Sequence, residues 1–246
     1  MQLASPTETG LRLDRAAYGV GGRAILQDIS LHLTEQRIAI LGPNGSGKTT
    51  LLRLMAGLIA PTTGRVTVDG IEPATNRRAM LGAIGILFQN PEHQIIFPTV
   101  EEELAFGLKQ MGRGADEARA AARATLAAHG RGHWAAAPVA TLSQGQKQFL
   151  CLLAVLAMAP GTILLDEPFS GLDLPTQIRL ARRLAALPQR LVTITHDPAV
   201  VTGYNRAIWL EGGRVRADGP AADVVEAYRA EMNRLGSLDA DADLAG

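Results

Sequence analysis

A glycine-rich segment at residues 42–49 carries the most specific chemistry in this sequence. It reads Gly-Pro-Asn-Gly-Ser-Gly-Lys-Thr and matches the phosphate-binding pattern GxxxxGK(S/T). Its glycines let successive backbone N–H groups point at phosphate oxygens. We expect Lys48 to bridge the β- and γ-phosphates of a nucleoside triphosphate and Thr49 to bind Mg²⁺. The residues expected around the phosphates are Gly42, Pro43, Asn44, Gly45, Ser46, Gly47, Lys48, Thr49 and Thr50.

Two adjacent carboxylates end an apolar segment that begins at Thr162. Neighbouring side chains at a strand end point in different directions, so Asp166 and Glu167 can have separate roles. Asp166 is suited to Mg²⁺, directly or through a further ligand, and Glu167 to the general base that orients the attacking water. A strand that ends in two acids is otherwise a common surface feature. Its combination with a phosphate loop makes the pair specific.

The elements that must position these residues alternate between strands and helices. Ile38–Leu41 is an apolar strand before the phosphate loop, and Lys48–Ala56 is a helix that Gly57 can end. A second helix is expected from Leu174 to Leu187. This alternation predicts an α/β core with a mainly parallel sheet. Further strands are expected at Leu11–Leu13, Val66–Val68, Ile84–Phe88, Ile163–Asp166, Leu191–Thr195 and Ala207–Leu210.

The stretch from about residue 91 to 140 has a different composition. It is rich in alanine and has apolar residues at helical spacing. Thr99 and Glu102 fit a capping box. We therefore expect a mostly helical insert between strands.

Residues 142–146, just before a long apolar stretch, indicate a family. They read Leu-Ser-Gln-Gly-Gln, which resembles the signature LSGGQ of ATP-binding cassette (ABC) ATPases, at a similar distance before the two carboxylates. The resemblance implies one domain over residues 1–246, a P-loop NTPase core of about 11–90 and 160–219. It also implies an antiparallel β subdomain, a helical subdomain of about 91–159 and a short C-terminal tail of about 220–246.

Four further positions resemble motifs of that family, in the family's order. Gln89 resembles the Q-loop glutamine, expected at Mg²⁺ or the attacking water. Asp173 ends Ser-Gly-Leu-Asp and resembles the D-loop. His196 resembles the switch histidine, expected at the γ-phosphate or the water. Tyr18 resembles the aromatic residue that stacks on adenine, although a core tyrosine would look the same.

The resemblance also implies a dimer that binds ATP at two interface sites. Ser143, Gly145 and Gln146, at a helix start, would bind the γ-phosphate of a nucleotide held by the opposite subunit. Gln144 departs from the family glycine. A positive φ there would cost about 1 kcal/mol, and we expect hydrolysis to survive. Arg37, where the family often has glycine, is expected to be a solvated turn residue.

Two segments narrow the resemblance to the ATPases of energy-coupling factor (ECF) transporters, which import vitamins and transition metals. These are Phe88–Ile95 and Pro98–Gly107. The resemblance implies two membrane partners, a transmembrane coupling protein and a substrate-binding protein. Residues 94–97 are expected to line the groove for the coupling protein, unless they pack internally. Length and signature variant favour the biotin type; cobalt or nickel ATPases and an iron–sulfur assembly ATPase are the alternatives.

Composition excludes several other classes. Lys plus Arg and Asp plus Glu are 24 each, so nothing predicts nucleic-acid binding by bulk charge. The longest apolar run, Phe149–Ala159, is shorter than the ~20 residues of a membrane helix. We expect a peripheral protein at the cytoplasmic face of the membrane, without a signal peptide. Cys151 is expected to be a buried apolar residue, and the tail around Asp239, Asp241 and Asp243 a solvated end.

Overall fold

The structure is a computed structural model that describes residues 9–237. The N-terminal residues and the acidic tail, on which two expectations fall, lie outside the described residues. The strands are β1 (Leu11–Val20), β2 (Arg23–Leu33), β3 (Arg37–Leu41), β4 (Thr63–Val68), β5 (Ile84–Leu87), β6 (Thr162–Asp166), β7 (Arg190–Thr195), β8 (Arg206–Glu211) and β9 (Arg214–Pro220). The α-helices are α1 (Lys48–Met55), α2 (Arg77–Ala83), α3 (Val100–Gln110), α4 (Ala115–Ala128), α5 (Gln144–Ala157), α6 (Leu174–Ala185) and α7 (Ala221–Gly236).

A six-stranded sheet forms the centre of the fold. Its order is β5-β6-β7-β3-β8-β9, and every neighbouring pair is parallel except β8 with β9. Apart from the half-buried Arg37, the residues of β3 and β6 are buried, because other elements cover both faces of the sheet. The carboxyl ends of β3, β6 and β7 therefore meet at one edge. The α/β core with a mainly parallel sheet is confirmed.

A second, antiparallel sheet packs on one face of this core. Its order is β2-β1-β4. Apolar side chains from all three strands join α1 and one face of the parallel sheet in a single core cluster. Sequence reasoning found only the first three residues of β1 and missed β2, because bulges interrupt the pairing and blur its alternation.

Helices cover the opposite face of the parallel sheet. α3, α4 and α5 pack together with α6 against apolar residues of β5, β6 and β7. Cys151 of α5 is buried in this cluster, as expected, and burial raises the pKa of its thiol to about 12. The segment after residue 220, expected to be a short tail, begins with the helix α7, which packs on β3 and β8.

Arg37 corrects an expectation. Instead of extending into solvent, its guanidinium donates to backbone carbonyls around the end of α6. The distances are 2.5 Å to Leu187 O, 2.8 Å to Gln189 O and 3.1 Å to Ala185 O. Carbonyls in the last turn of a helix have no partner within the helix, and a cation there also suits the helix dipole. Arg37 therefore joins the start of β3 to the end of α6.

Candidate nucleotide site

The phosphate loop lies between β3 and α1, as predicted. Gly47 precedes α1 with a φ of 102°, and Gly45 has a φ of 78°. Side chains are strongly disfavoured at such angles. This backbone leaves the first N–H groups of α1 directed at the space where a phosphate would bind, with the positive end of the helix dipole behind them.

Lys48 is folded back over this loop. Its Nζ donates to Gly42 O at 2.7 Å and to Pro43 O at 2.9 Å, and the residue is only 7% exposed. Burial lowers the pKa of the ammonium, and the carboxylates of Glu167 and Asp166 oppose that shift. The ammonium therefore lies at the loop, and moving to a phosphate would break only its hydrogen bonds to two backbone carbonyls.

Asp166 ends β6 beside this lysine and is 8% exposed. Burial raises the pKa of its carboxyl, and the neighbouring charge of Glu167 adds to the shift. Lys48 and Arg53 act in the opposite direction. A cation at this carboxylate would relieve the cost of its charge.

Glu167 is bound on both of its oxygens. Oε1 accepts the backbone N–H of His196 at 2.9 Å and lies 2.7 Å from that ring's Nδ1. Oε2 accepts the Thr195 hydroxyl at 3.0 Å. The residue has a φ of 46°, an unusual conformation for a non-glycine residue that is typical of functional sites. The structure therefore brings Glu167 and His196 together and orients the carboxylate.

A cavity of about 620 Å³ joins most of the predicted residues. Those lining it are Asn44, Gly45, Gly47, Lys48, Thr49, Thr50, Gln89, Asp166, Glu167 and His196. Sequence reasoning missed its far wall, formed by Arg23–Ile25 at the start of β2 and by Gly212 and Gly213 between β8 and β9. No local pattern points to these residues, because tertiary packing of two hairpins brings them here.

Gln89 follows β5 and is turned toward the segment between β6 and α6. Its Nε2 donates to Ser170 Oγ at 3.1 Å. Asp173, in the same segment, caps α6 by accepting the N–H of Thr176 at 2.9 Å. Hydrogen bonds from the Thr176 side chain and its backbone N–H lower the pKa of the Asp173 carboxyl.

The signature residues Ser143, Gly145 and Gln146 line a different cavity of about 410 Å³. Ser143 is the N-cap of α5: its Oγ accepts the N–H of Gln146 at 3.3 Å, and Gln146 Oε1 accepts the N–H of Ser143 at 2.7 Å. A Cβ at Gly145 would lie 2.6 Å from Thr176 Cγ2, so the glycine is needed for packing against α6. Within one chain, the two predicted halves of the site are separate.

Gln144 is compatible with the signature. It is the first residue of α5 and its φ is not positive, so the conformational penalty considered above does not arise. Its side-chain amide lies next to Gly171, where an added Cβ would be 3.0 Å from Nε2.

Tyr18 is not part of the nucleotide cavity. It is half-buried, packs at the margin of the core cluster that contains Leu26, and lines a separate depression on the β1–β2 ribbon. That depression shares Arg23 and Ala24 with the nucleotide cavity. The expected stacking of Tyr18 on adenine stays a prediction.

Comparisons with known proteins identify the family. Residues 26–170 match the model of the ABC transporter family. The chain is 52% identical to the biotin transport ATP-binding protein BioM of Rhodobacter capsulatus, over 87% of this chain and 92% of that protein. It is 39% identical to BioM of Rhizobium etli, over 89% of this chain and 97% of that protein.

Solved structures of similar proteins have the same fold. A Clostridium perfringens protein, cbiO1, described as part of the ABC transporter complex cbiONQ, has a TM-score of 0.76 and 28% identity, with 93% of this chain and 95% of that one covered. A dimeric cassette in a post-hydrolysis state with ADP and Pi has a TM-score of 0.73 and 28% identity, with 86% and 98% covered. The order of motifs, their geometry and these matches agree, and the chain belongs to the ATP-hydrolysing subunits of the ABC transporter family.

Proposed function

We propose that this chain is the ATPase of an ECF importer for a vitamin, and that the vitamin is biotin. The observation that carries this proposal is the 52% identity, over nearly the whole length of both chains, to a protein named for biotin transport. The second such relative supports it.

Mg²⁺ would bind at Thr49, Asp166 and Gln89. Their side chains offer the oxygen ligands that this ion prefers, and they line one cavity. The described residues contain no group of three His, Cys, Asp or Glu that could hold a metal alone. Nucleotide phosphates and water would therefore have to complete the coordination.

Hydrolysis would run through Glu167. Its carboxylate accepts the Thr195 hydroxyl and the His196 backbone N–H and lies 2.7 Å from the His196 ring, which orients an oxygen to take a proton from water. His196 would hold the γ-phosphate or the water, and Lys48 would leave its carbonyls to neutralise the β- and γ-phosphates.

The separation of the two cavities supports a dimer, either a homodimer or a pseudo-symmetric pair of ATPases. Ser143 and the N-terminus of α5 are suited to a phosphate, but in this chain they do not line the cavity of the phosphate loop. A second subunit would supply them to the nucleotide, and ATP would hold the two subunits together.

Membrane partners would bind at residues 94–97, after the Q-loop. Only part of this segment is exposed for contact with a partner. Gln94 is turned inward, with Nε2 donating to Ile86 O at 3.3 Å, and Ile95 packs on the core. Ile96 is 69% exposed, while its backbone N–H is fixed by the buried Glu103 at 2.9 Å. A rigid backbone that presents one apolar side chain is suited to a coupling helix of a membrane protein.

The chain would reach the membrane through these partners. No helix within residues 9–237 is long and apolar enough to span a bilayer. We place the ATPase at the cytoplasmic face, bound to a transmembrane coupling protein that works with a substrate-binding membrane protein.

Uptake measurements test this function. The chain is co-expressed with the membrane proteins that co-purify with it from its native membranes, in cells that lack their own biotin importer. Lys48→Ala is the inactive control. ATP-dependent uptake of labelled biotin, and of neither Co²⁺ nor Ni²⁺, is expected. Uptake of Co²⁺ or Ni²⁺ would show that the cargo is a metal and not biotin. Capture of soluble iron–sulfur scaffold proteins without any membrane protein would contradict the proposal that the chain belongs to an importer.

A further inference from the structure

Three arginines border the cavity of about 410 Å³ that begins at the signature residues. Arg179 and Arg183 lie one turn apart on α6, and Arg131 lies in the segment that follows α4. Ser143 and Gln146 line the same cavity. The arginines come from two other segments of the chain, so only the fold brings their positive charges together.

An aromatic pair holds two of the guanidinium groups. The central carbon of the Arg183 guanidinium lies 3.5 Å from the centroid of the Phe149 ring, and that of Arg131 lies 5.2 Å from the centroid of the Trp134 ring. The two rings meet edge to face, with centroids 6.2 Å apart. Stacking on a ring uses the face of a guanidinium and leaves the N–H donors at its edge. The planes are therefore fixed while donors stay available.

The protein supplies few acceptors for these donors. Within the described residues, none of the three arginines forms an ion pair with a carboxylate. Arg131 donates to Gly130 O at 2.9 Å, and Arg179 donates to Thr176 Oγ1 at 2.7 Å. A guanidinium carries several N–H donors and no acceptor. Most donors of the cluster are thus left for a molecule other than this chain.

The clustered charges oppose one another. Burial lowers the pKa of the Arg183 guanidinium, and the charges of Arg131 and Arg179 lower it further. Like charges one turn apart also destabilise a helix, and repulsion between cations grows as they leave water. An anion in the cavity would replace this repulsion by attraction.

The number of cations favours phosphate over a carboxylate as the ligand. Arginine binds the oxygens of both groups, but three cations are balanced better by a multiply charged anion. Phosphate also offers oxygens in several directions, so arginines on α6 and after α4 can bind it together. Inorganic phosphate is a product of ATP hydrolysis, the activity of this family.

We propose that Arg131, Arg179 and Arg183 form a second anion site, which binds inorganic phosphate separately from the nucleotide cavity. Among the described residues, none of the phosphate loop lines the arginine-bordered cavity, and none of the three arginines lines the nucleotide cavity. The inference goes beyond the proposed transport function and does not depend on it, because the whole site lies within one chain.

Calorimetry with inorganic phosphate tests the proposal on the nucleotide-free Lys48→Ala chain, in which binding at the phosphate loop is impaired. At low ionic strength, saturable binding of phosphate is expected, whereas acetate should not bind. Arg183→Gln and Arg179→Gln, each added separately, should weaken phosphate binding by about tenfold or more, since a charge-assisted hydrogen bond is lost. Arg179 makes no ring contact within the described residues, so its variant tests the site without disturbing the aromatic pair.

Arg182→Gln is the matched control. Arg182 is exposed, adjacent to Arg183 on α6 and outside the cavity, so its replacement should leave the Kd of phosphate unchanged. Equal weakening by Arg182→Gln would show binding to diffuse surface charge and overturn the proposal. Absence of saturable phosphate binding by the Lys48→Ala chain would overturn it as well, and so would acetate binding as tight as that of phosphate.

Discussion

Glu167 and His196 are joined twice through a single carboxylate oxygen. Oε1 of Glu167 accepts the histidine's backbone N–H at 2.9 Å and lies 2.7 Å from its ring Nδ1. Thr195 binds the other oxygen at 3.0 Å. The carboxyl end of β7 thereby orients the acid at the end of β6, and movement of one residue must affect the other.

Replacing Glu167 by glutamine should separate binding from hydrolysis. The amide keeps the size of the side chain but cannot accept a proton from water. We expect hydrolysis by Glu167→Gln to fall by about 10²–10⁴-fold, with little change in the Kd of ATP. Turnover near the wild-type rate would show that Glu167 is not the base.

The buried carboxyl of Asp166 should make stability depend on pH. Its folded pKa is raised, so folding favours the protonated form. The stability that protonation provides is complete below the ordinary pKa of the carboxyl and is lost as pH rises through the folded value. Asp166→Asn should therefore raise the Tm of the nucleotide-free protein at pH 8, and the gain over wild type should shrink toward pH 4.

Thermal unfolding at several pH values, without Mg²⁺ or nucleotide, measures this gain. A gain that is constant with pH would assign the effect to packing instead of ionisation. Asp173→Asn is a useful comparison, because hydrogen bonds lower the pKa of that carboxyl, and its replacement should act in the opposite direction.

The local parts of the site could be predicted from the sequence. The phosphate loop and the signature each lie within one short segment, where glycine spacing and an N-cap determine the conformation. The wall formed by Arg23 could not be predicted, since it depends on how a hairpin packs against a distant loop.

The role of Arg37 could not be predicted from the sequence either. The backbone carbonyls that bind its guanidinium lie about 150 residues away in the chain, and nothing in the local pattern marks them. Arg37→Met should lower the free energy of unfolding by about 2 kcal/mol, since hydrogen bonds to a charged group are lost and two half-buried carbonyls, of Leu187 and Gln189, are left unpaired. Denaturant titration measures this. An unchanged midpoint would show that the carbonyls are satisfied by water.

Ile96 should be required for binding to membrane partners but not for nucleotide chemistry. Its side chain is exposed on a segment whose backbone is bound to Glu103. Ile96→Asp should abolish co-purification with the coupling protein from detergent-solubilised membranes and leave the ATPase rate of the isolated chain within about twofold, as expected for surface substitutions. Leu58→Asp, at another exposed apolar residue, is the matched control. Retained co-purification would place the partner elsewhere.

The central claim, that one chain supplies half of each ATP site, is tested by dimer closure in the Glu167→Gln background. With Mg²⁺ and ATP, sedimentation velocity should show a dimer for Glu167→Gln alone. Adding Ser143→Arg should leave the Kd of ATP unchanged and keep the chain monomeric, because the arginine blocks the phosphate contact to the opposite subunit. A dimer that still forms, or ATP binding lost together with dimerisation, would contradict a signature that acts across the interface.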